Sequence, residues 1–241
     1  MALEWTTTGQ VTANNGIKLL VYATSGIGKT VLCATAPAPV VLSAESGLLS
    51  LTRKNIERIF GVNTPGITYD IPVMKINTIE DLQEAYLLCR DNPQMKQFKT
   101  LCLDSITEIA EQVLNNAKRT NKDPRQAYGV LIEKMQTIIR DFRDLPGYNV
   151  YMAAKAEPMK DELTGIVKTG PAMPGSKLGH QLPYFFDEVL RLAVGKDPKT
   201  QQTYRYLQTQ PDLQYEAKDR SGALDQMEMP HLTHIFNKIL A

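Results

Sequence analysis

The stretch Leu19-Leu20-Val21-Tyr22-Ala23-Thr24-Ser25-Gly26-Ile27-Gly28-Lys29-Thr30 constrains this chain more than any other. An apolar run, a loop of small residues and a Gly-Lys-Thr triplet opening a helix form the layout of a nucleotide phosphate-binding loop. In that layout the loop amides and the positive helix end cradle the phosphates. Lys29 reaches the β- and γ-phosphates of ATP, and the Thr30 hydroxyl ligates Mg²⁺. The expected nucleotide contacts are Ala23, Thr24, Ser25, Gly26, Ile27, Gly28, Lys29, Thr30 and Val31. The strict pattern begins with Gly, whereas Ala23 excludes the positive-φ conformations that Gly adopts freely. The loop therefore has to turn at Ala23 with ordinary dihedrals. The flanks agree with the motif. Ile17 to Tyr22 is apolar enough for a parallel core strand, and Lys29 to Thr35 can continue as a helix stopped near Pro37.

A chain of 241 residues with 43% hydrophobic content suits one sizeable α/β domain, or at most two small ones. We expect a single domain over 1–241, with residues 1–16 as a polar leader. A net charge of +1 excludes a global polycation, so any nucleic-acid contact has to come from local patches. Cys33, Cys89 and Cys102 have no metal-ligand spacing, and Cys33 and Cys102 read as small core residues. No basic region followed by an apolar stretch opens the chain, and no run reaches membrane-spanning length. The expectation is a cytoplasmic protein without a membrane partner.

Apolar patterning predicts strands at Pro39–Ala44, Ile71–Ile76, Lys99–Leu103, Tyr148–Ala154, Asp187–Val194 and Tyr204–Thr209. Helices are expected at Leu48–Phe60, Thr78–Asp91 (with Thr78 and Asp81 as its N-terminal signature), Ser105–Ala117, Arg125–Leu145 and His231–Leu240. This alternation implies a mostly parallel sheet covered on both faces. Residues 156–182 are rich in Gly, Pro and polar groups and read as a long loop, or else as a hidden hairpin. His231 and His234 read as a helix surface, Trp5 as an anchor onto a neighbour or its own core, and Tyr204 and Tyr206 as strand packing.

Two carboxylates stand where a phosphate site needs them. The run Thr100-Leu101-Cys102-Leu103-Asp104-Ser105 buries itself as a strand and delivers Asp104 at its carboxyl end, beside the Mg²⁺. Asp104 would hold a metal-bound water, since Mg²⁺ keeps most of its waters. On position alone Asp104 could equally cap the next helix. The second strand ends Ser43-Ala44-Glu45-Ser46-Gly47. Glu45 there would face the γ-phosphate side and deprotonate the attacking water, or else sit as a helix-start carboxylate on a solvated face.

The order Gly-Lys-Thr, Leu-Ser-Ala-Glu, Leu-Cys-Leu-Asp-Ser and Val-Tyr-Met-Ala-Ala-Lys resembles the RecA core. Over nearly its whole length the chain is most similar to the short phage-encoded RecA-core recombinases of the fourth Sak class, which are single-strand annealing proteins. The resemblance implies a RecA-like P-loop ATPase that uses ATP and Mg²⁺, with Glu45 catalytic and Asp104 at the metal. It implies single-stranded DNA as partner, self-assembly into a ring or filament with ATP between subunits, and a single-strand-binding protein as a further partner. It also implies two DNA-binding loops. The first is Asn115 to Arg125, where Lys118, Arg119, Lys122 and Arg125 face one acid, Asp123, a local excess suited to a phosphate backbone or to a solvated turn. The second is residues 156–182, with Lys160, Lys168 and Lys177 among acids that leave it barely basic. Relatives place a polar sensor, often Gln, where this chain has Lys155. Lys218 and Arg220 resemble the trans-acting pair of hexameric RecA-fold motors, in which a neighbouring subunit inserts both cations at the γ-phosphate; as a charged surface turn they would be ordinary. A hexameric motor on the same fold and a nucleotide-gated switch with negligible turnover stay open as alternatives.

Overall fold

Six consecutive buried residues set the centre of the molecule: β1, Lys18–Ala23. The computed structural model describes Trp5, Thr7, Gly9, Gln10 and residues 15–45, 47–160 and 165–241; most of the expected leader lies outside them. β1 pairs in parallel with β5 (Asn149–Lys160) on one side and β7 (Glu188–Lys196) on the other. Beyond β5 come β4 (Thr100–Asp104), β2 (Pro39–Ser43) and the short edge strand β3 (Val73–Lys75), all parallel. The far side finishes antiparallel, with β8 (Thr203–Gln208) on β7 and β10 (Met227–Glu228) on β8. β6 (Val167–Pro171) pairs with β5 and β9 (Lys218–Asp219) with β7. This is an α/β fold with a mostly parallel sheet and helices on both faces.

The period-2 alternation of the strands sorts their side chains into two cores. Leu20, Tyr22, Leu42, Leu103 and Met152 point to one face. That face is covered by α2 (Ile79–Asp91), α3 (Ile106–Thr120) and α4 (Pro124–Arg143), through Leu82, Val113, Leu131, Met135 and Phe142. Leu19, Val21, Val41, Cys102 and Tyr151 point to the other face. It is covered by Leu32 and Cys33 just after the phosphate loop and by Leu232, Ile235 and Phe236 of α6 (Leu232–Leu240). Each fully buried side chain of this size contributes about 1.5–3 kcal/mol. Cys33 and Cys102 are buried core residues, as their positions in the sequence suggest.

Local signals place the helix ends. Thr78 accepts from the Asp81 amide and Asp81 returns a bond to the Thr78 amide, a complete capping box. Ser105, Asp123 and His231 cap α3, α4 and α6 with side-chain acceptors. Four expectations need correction. The segment after the phosphate loop is a 3-10 helix, Thr30–Thr35, rather than an α-helix. Leu48–Phe60 breaks at Thr52 into a 3-10 turn, Leu48–Leu51, and α1, Arg53–Phe60, because Thr52 takes an extended conformation with ψ of 142°. Residues 156–182 are not one long loop. β5 runs on to Lys160 and pairs antiparallel with β6 as a hairpin, and α5 (Ser176–Gln181) follows. Period-2 patterning fails there because Gly170 and Pro171 are buried in the hairpin while its turn end, at Lys160 and Val167, is exposed. Finally, the basic turn is mostly helix: Lys118 and Arg119 belong to the last turn of α3 and Arg125 to the first of α4. Trp5 is 95% exposed and does not anchor into the chain's own core.

Candidate nucleotide site

β1, β2 and β4 run parallel, so their carboxyl ends open on one side of the sheet, where ligands bind in such folds. A cavity of about 970 Å³ lies there, lined by the whole loop from Ala23 to Leu32 and by Glu45, Asp104 and Lys155. Gly26 and Gly28 take φ of 79° and 114°, conformations that explain glycine at these two positions. Ala23 stays within the strand, so the turn starts after it. Lys29 folds back over the loop, its Nζ donating to the carbonyls of Ala23 (2.9 Å) and Thr24 (3.1 Å). Burial lowers its pKa, while Asp104 and Glu45 act to keep it charged. Tyr151 fixes the loop from below: its buried hydroxyl donates to the Lys29 carbonyl at 2.8 Å.

Asp104 is 3% exposed at the end of β4. Burial raises its pKa, and the neighbouring Thr30 hydroxyl acts the other way. The two residues expected at the metal therefore line one cavity. A hydroxyl and a carboxylate form an all-oxygen donor pair, with room in the cavity for waters and phosphate oxygens, and this fits Mg²⁺. Glu45, beyond the end of β2, accepts a bond of 2.7 Å from the Ser105 hydroxyl. The Ser43 hydroxyl donates to the Glu45 carbonyl at 2.6 Å. Glu45 is thus tied to both neighbouring strands at the mouth of the loop.

Other expected residues fall elsewhere. Lys155 stands opposite Ala23 in the β1–β5 register and lines the cavity, but its ammonium donates to Glu111 (2.9 Å) and Glu108 (3.2 Å) of α3. Partial burial works against its charge, and those bonds outweigh it and raise its pKa. Lys218 and Arg220 lie at the opposite end of the sheet, because β9 pairs with the start of β7. Lys218 Nζ donates to the carbonyls of Pro183 (2.8 Å) and Phe186 (2.5 Å), and Arg220 pairs with Asp187 at 2.9 Å. Neither enters the site of its own chain. Lys118, Arg119, Lys122 and Arg125 are all exposed around the α3–α4 turn, with Lys118 over the Tyr128 ring at 5.7 Å. Lys160 and Lys177 are exposed, and Lys168 pairs with Glu216 at 3.6 Å.

Three contributors escaped sequence reasoning. Ser105 stands at a strand–helix junction in the sequence, and its hold on Glu45 spans 60 residues. Arg58 of α1 and Arg205 of β8 also line the cavity. Neither carries a local signal, since each sits in an ordinary amphipathic element.

No curated protein matches the chain. It is similar in structure to the KaiC-like protein PH0186 from the hyperthermophilic archaeon Pyrococcus horikoshii OT3, at 17% identity over 80% of this chain and 77% of that one, with a TM-score of 0.42. The profile of the AAA domain family matches residues 15–221, a span that runs from the residues before β1 past the end of β9 and takes in the loop, Glu45 and Asp104. The chain belongs to the AAA domain family.

Proposed function

We propose that this chain is a Mg²⁺-dependent ATPase of RecA type that assembles on single-stranded DNA and promotes annealing or strand exchange. One observation carries the ATPase reading: Lys29, Thr30, Asp104 and Glu45, drawn from three separate strands, line one cavity. Mg²⁺ between Thr30 and Asp104 would neutralise charge on the phosphates. Lys29 would exchange the carbonyls of Ala23 and Thr24 for phosphate oxygens. Glu45, steadied by Ser105, would orient a water and take its proton.

The DNA half of the reading rests on the resemblance and on surface charge. The exposed cations at the α3–α4 turn face a single acid, and the hairpin formed by β5 and β6 grows directly from the strand beside the phosphate loop. Lys160 stands at that hairpin's end and Lys177 on α5, which follows it. In an assembly with ATP between copies, Lys218 and Arg220 would have to leave Pro183, Phe186 and Asp187 to meet a neighbour's nucleotide. A single-strand-binding protein and a phage origin belong to the same reading.

The test is single-strand binding by fluorescence anisotropy with ATP and Mg²⁺, titrated against salt. A modest salt slope is expected, because few phosphates are neutralised per chain. No binding at low salt, with or without ATP, refutes the DNA reading. Lys29→Ala should abolish nucleotide binding, and unchanged ATP affinity in that variant refutes the ATPase reading.

A further inference from the structure

Lys218 and Arg220 lie away from the phosphate loop, but the fold brings a different cation to it. Strand β8 alternates, so Arg205 shares a face with Leu207, which is buried in the same core as Leu32 and Cys33 just after the phosphate loop. Two residues before Leu207, opposite exposed Val194 of β7, Arg205 has moved beyond the covered part of the sheet and lies over the loop. A methyl group at Gly28 would stand 3.9 Å from its Nε. Arg205 lines the cavity that holds Lys29 and Asp104.

Its partners, or their lack, make this placement informative. Arg53, Arg90, Arg143 and Arg220 each pair with a carboxylate, and Arg58, the other arginine of the cavity, donates to Asn55 at 2.7 Å. Among the described residues the Arg205 side chain has neither an ion pair nor a hydrogen bond, while its backbone pairs in the β7–β8 ladder. A free guanidinium carries five donors in a fork that suits phosphate oxygens. Set against a loop of glycine and small residues that already offers Lys29, such a group has an anion as its natural counterpart.

We propose that Arg205 is a phosphate-binding residue supplied by the same chain, gripping the nucleoside di- or triphosphate from the β7–β8 side of the loop. The inference rests on the nucleotide reading above. It differs from the trans arrangement in placing a phosphate cation in every single copy.

The experiment is equilibrium binding of a fluorescent ATP analogue, and of the ADP analogue, to the wild-type chain, Arg205→Ala, Arg205→Lys and Lys29→Ala. Arg205→Ala should weaken binding about tenfold or more, the worth of a charge-assisted hydrogen bond, and Arg205→Lys should recover part of it. The unfolding midpoint without nucleotide should not move, because Arg205 is exposed and its side chain makes no bond. Wild-type failure to bind refutes the nucleotide reading and this inference with it. Wild-type binding that is lost in Lys29→Ala but intact in Arg205→Ala refutes this inference alone. An equimolar mixture of the Lys29→Ala and Arg205→Ala proteins should bind no better than Arg205→Ala contributes by itself; recovery of wild-type affinity would place Arg205 in a neighbour's site and overturn the same-chain assignment.

Discussion

Removing the Ser105 hydroxyl separates a structural role from a catalytic one. Ser105 is 1% exposed and works in two directions. Its oxygen accepts from the Glu108 amide at 3.4 Å as the cap of α3, and its proton goes to Glu45 Oε1 at 2.7 Å. Loss of a cap costs typically about 1 kcal/mol, and a bond as long as 3.4 Å belongs at the lower end of the range. The bond to the carboxylate is charge-assisted, which sets its worth at about 1.5–3 kcal/mol when buried. Glu45 is only half-buried, and water takes over part of that. Ser105→Ala should therefore lower stability by about 1–2 kcal/mol, or a few degrees in melting temperature for a domain of this size. If the same bond aims Glu45 at its water, losing about 1.4 kcal/mol of orientation lowers kcat about tenfold. KM for ATP should stay the same, because Ser105 faces Glu45 and not the phosphate loop. Phosphate release under saturating ATP measures this, with Glu45→Gln as the floor and Ser105→Thr, which keeps both bonds, as the rescue. A variant that melts earlier yet turns over at the wild-type rate would show that Ser105 is a cap only and that Glu45 is not positioned through it.

Three further perturbations test the surrounding fold. Tyr22→Phe keeps the shape of a fully buried ring but removes the hydroxyl that reaches the carbonyls of Glu216 (2.5 Å) and Thr169 (3.1 Å); about 1–3 kcal/mol of stability should be lost in denaturant titration, and an unchanged midpoint would contradict the contact. Glu188, 1% exposed with Oε2 lacking a hydrogen bond, is pushed up to about 8 from an ordinary 4.5 by burial and by the Asp219 carboxylate. Between those values the folded chain holds a proton that the unfolded chain has released, so this group's stabilisation is full below about pH 4.5 and is lost as pH rises to about 8. Glu188→Gln should flatten that decline in denaturation at pH 5, 6.5 and 8, and an identical slope in both proteins would show that Glu188 does not cause it. Lys18, lowered to about 8 by burial, acts above that window and in the opposite direction; burial also lowers His231 and raises Asp104, so it is the difference between wild type and Glu188→Gln that isolates this group. Gly16→Ala should cripple folding, because φ is 54° and a Cβ would lie 2.3 Å from the Tyr148 carbonyl oxygen; soluble expression with wild-type melting would refute this.

What could be read from the sequence was what adjacent residues determine. The phosphate loop, the strand ends at Glu45 and Asp104 and the Thr78–Asp81 box are each written within a few neighbouring positions, and the chain folds them as their local chemistry dictates. Contacts across the sheet were not written that way. Ser105 meets Glu45 only because β4 lies beside β2, and Arg205 meets Gly28 only because β8 folds back on β7 over the loop. The hairpin of β5 and β6 was hidden because buried Gly170 and Pro171 look like loop residues in a one-dimensional pattern.

Lys218 and Arg220 on one side, and Arg205 on the other, end up at opposite ends of the sheet. A Lys-x-Arg pair is conspicuous in sequence and an arginine between two tyrosines is not, yet β9 pairs with the beginning of β7 whereas Arg205 lies on the strand paired along its later half. Since β7 runs parallel to β1, its beginning is level with Leu19 and its later part with the phosphate loop. Strand direction alone therefore sends the conspicuous pair to the wrong pole for its own nucleotide and the inconspicuous arginine to the right one. For Lys218 or Arg220 to act, two copies must meet and local bonds to Pro183, Phe186 and Asp187 must open. Arg205 needs neither. On the proposed reading, sheet topology would let a lone copy grip phosphates with Lys29 and Arg205 and hold Mg²⁺ with Thr30 and Asp104. On that reading an assembly would add to the turnover step at Glu45 and not to the capture of the nucleotide.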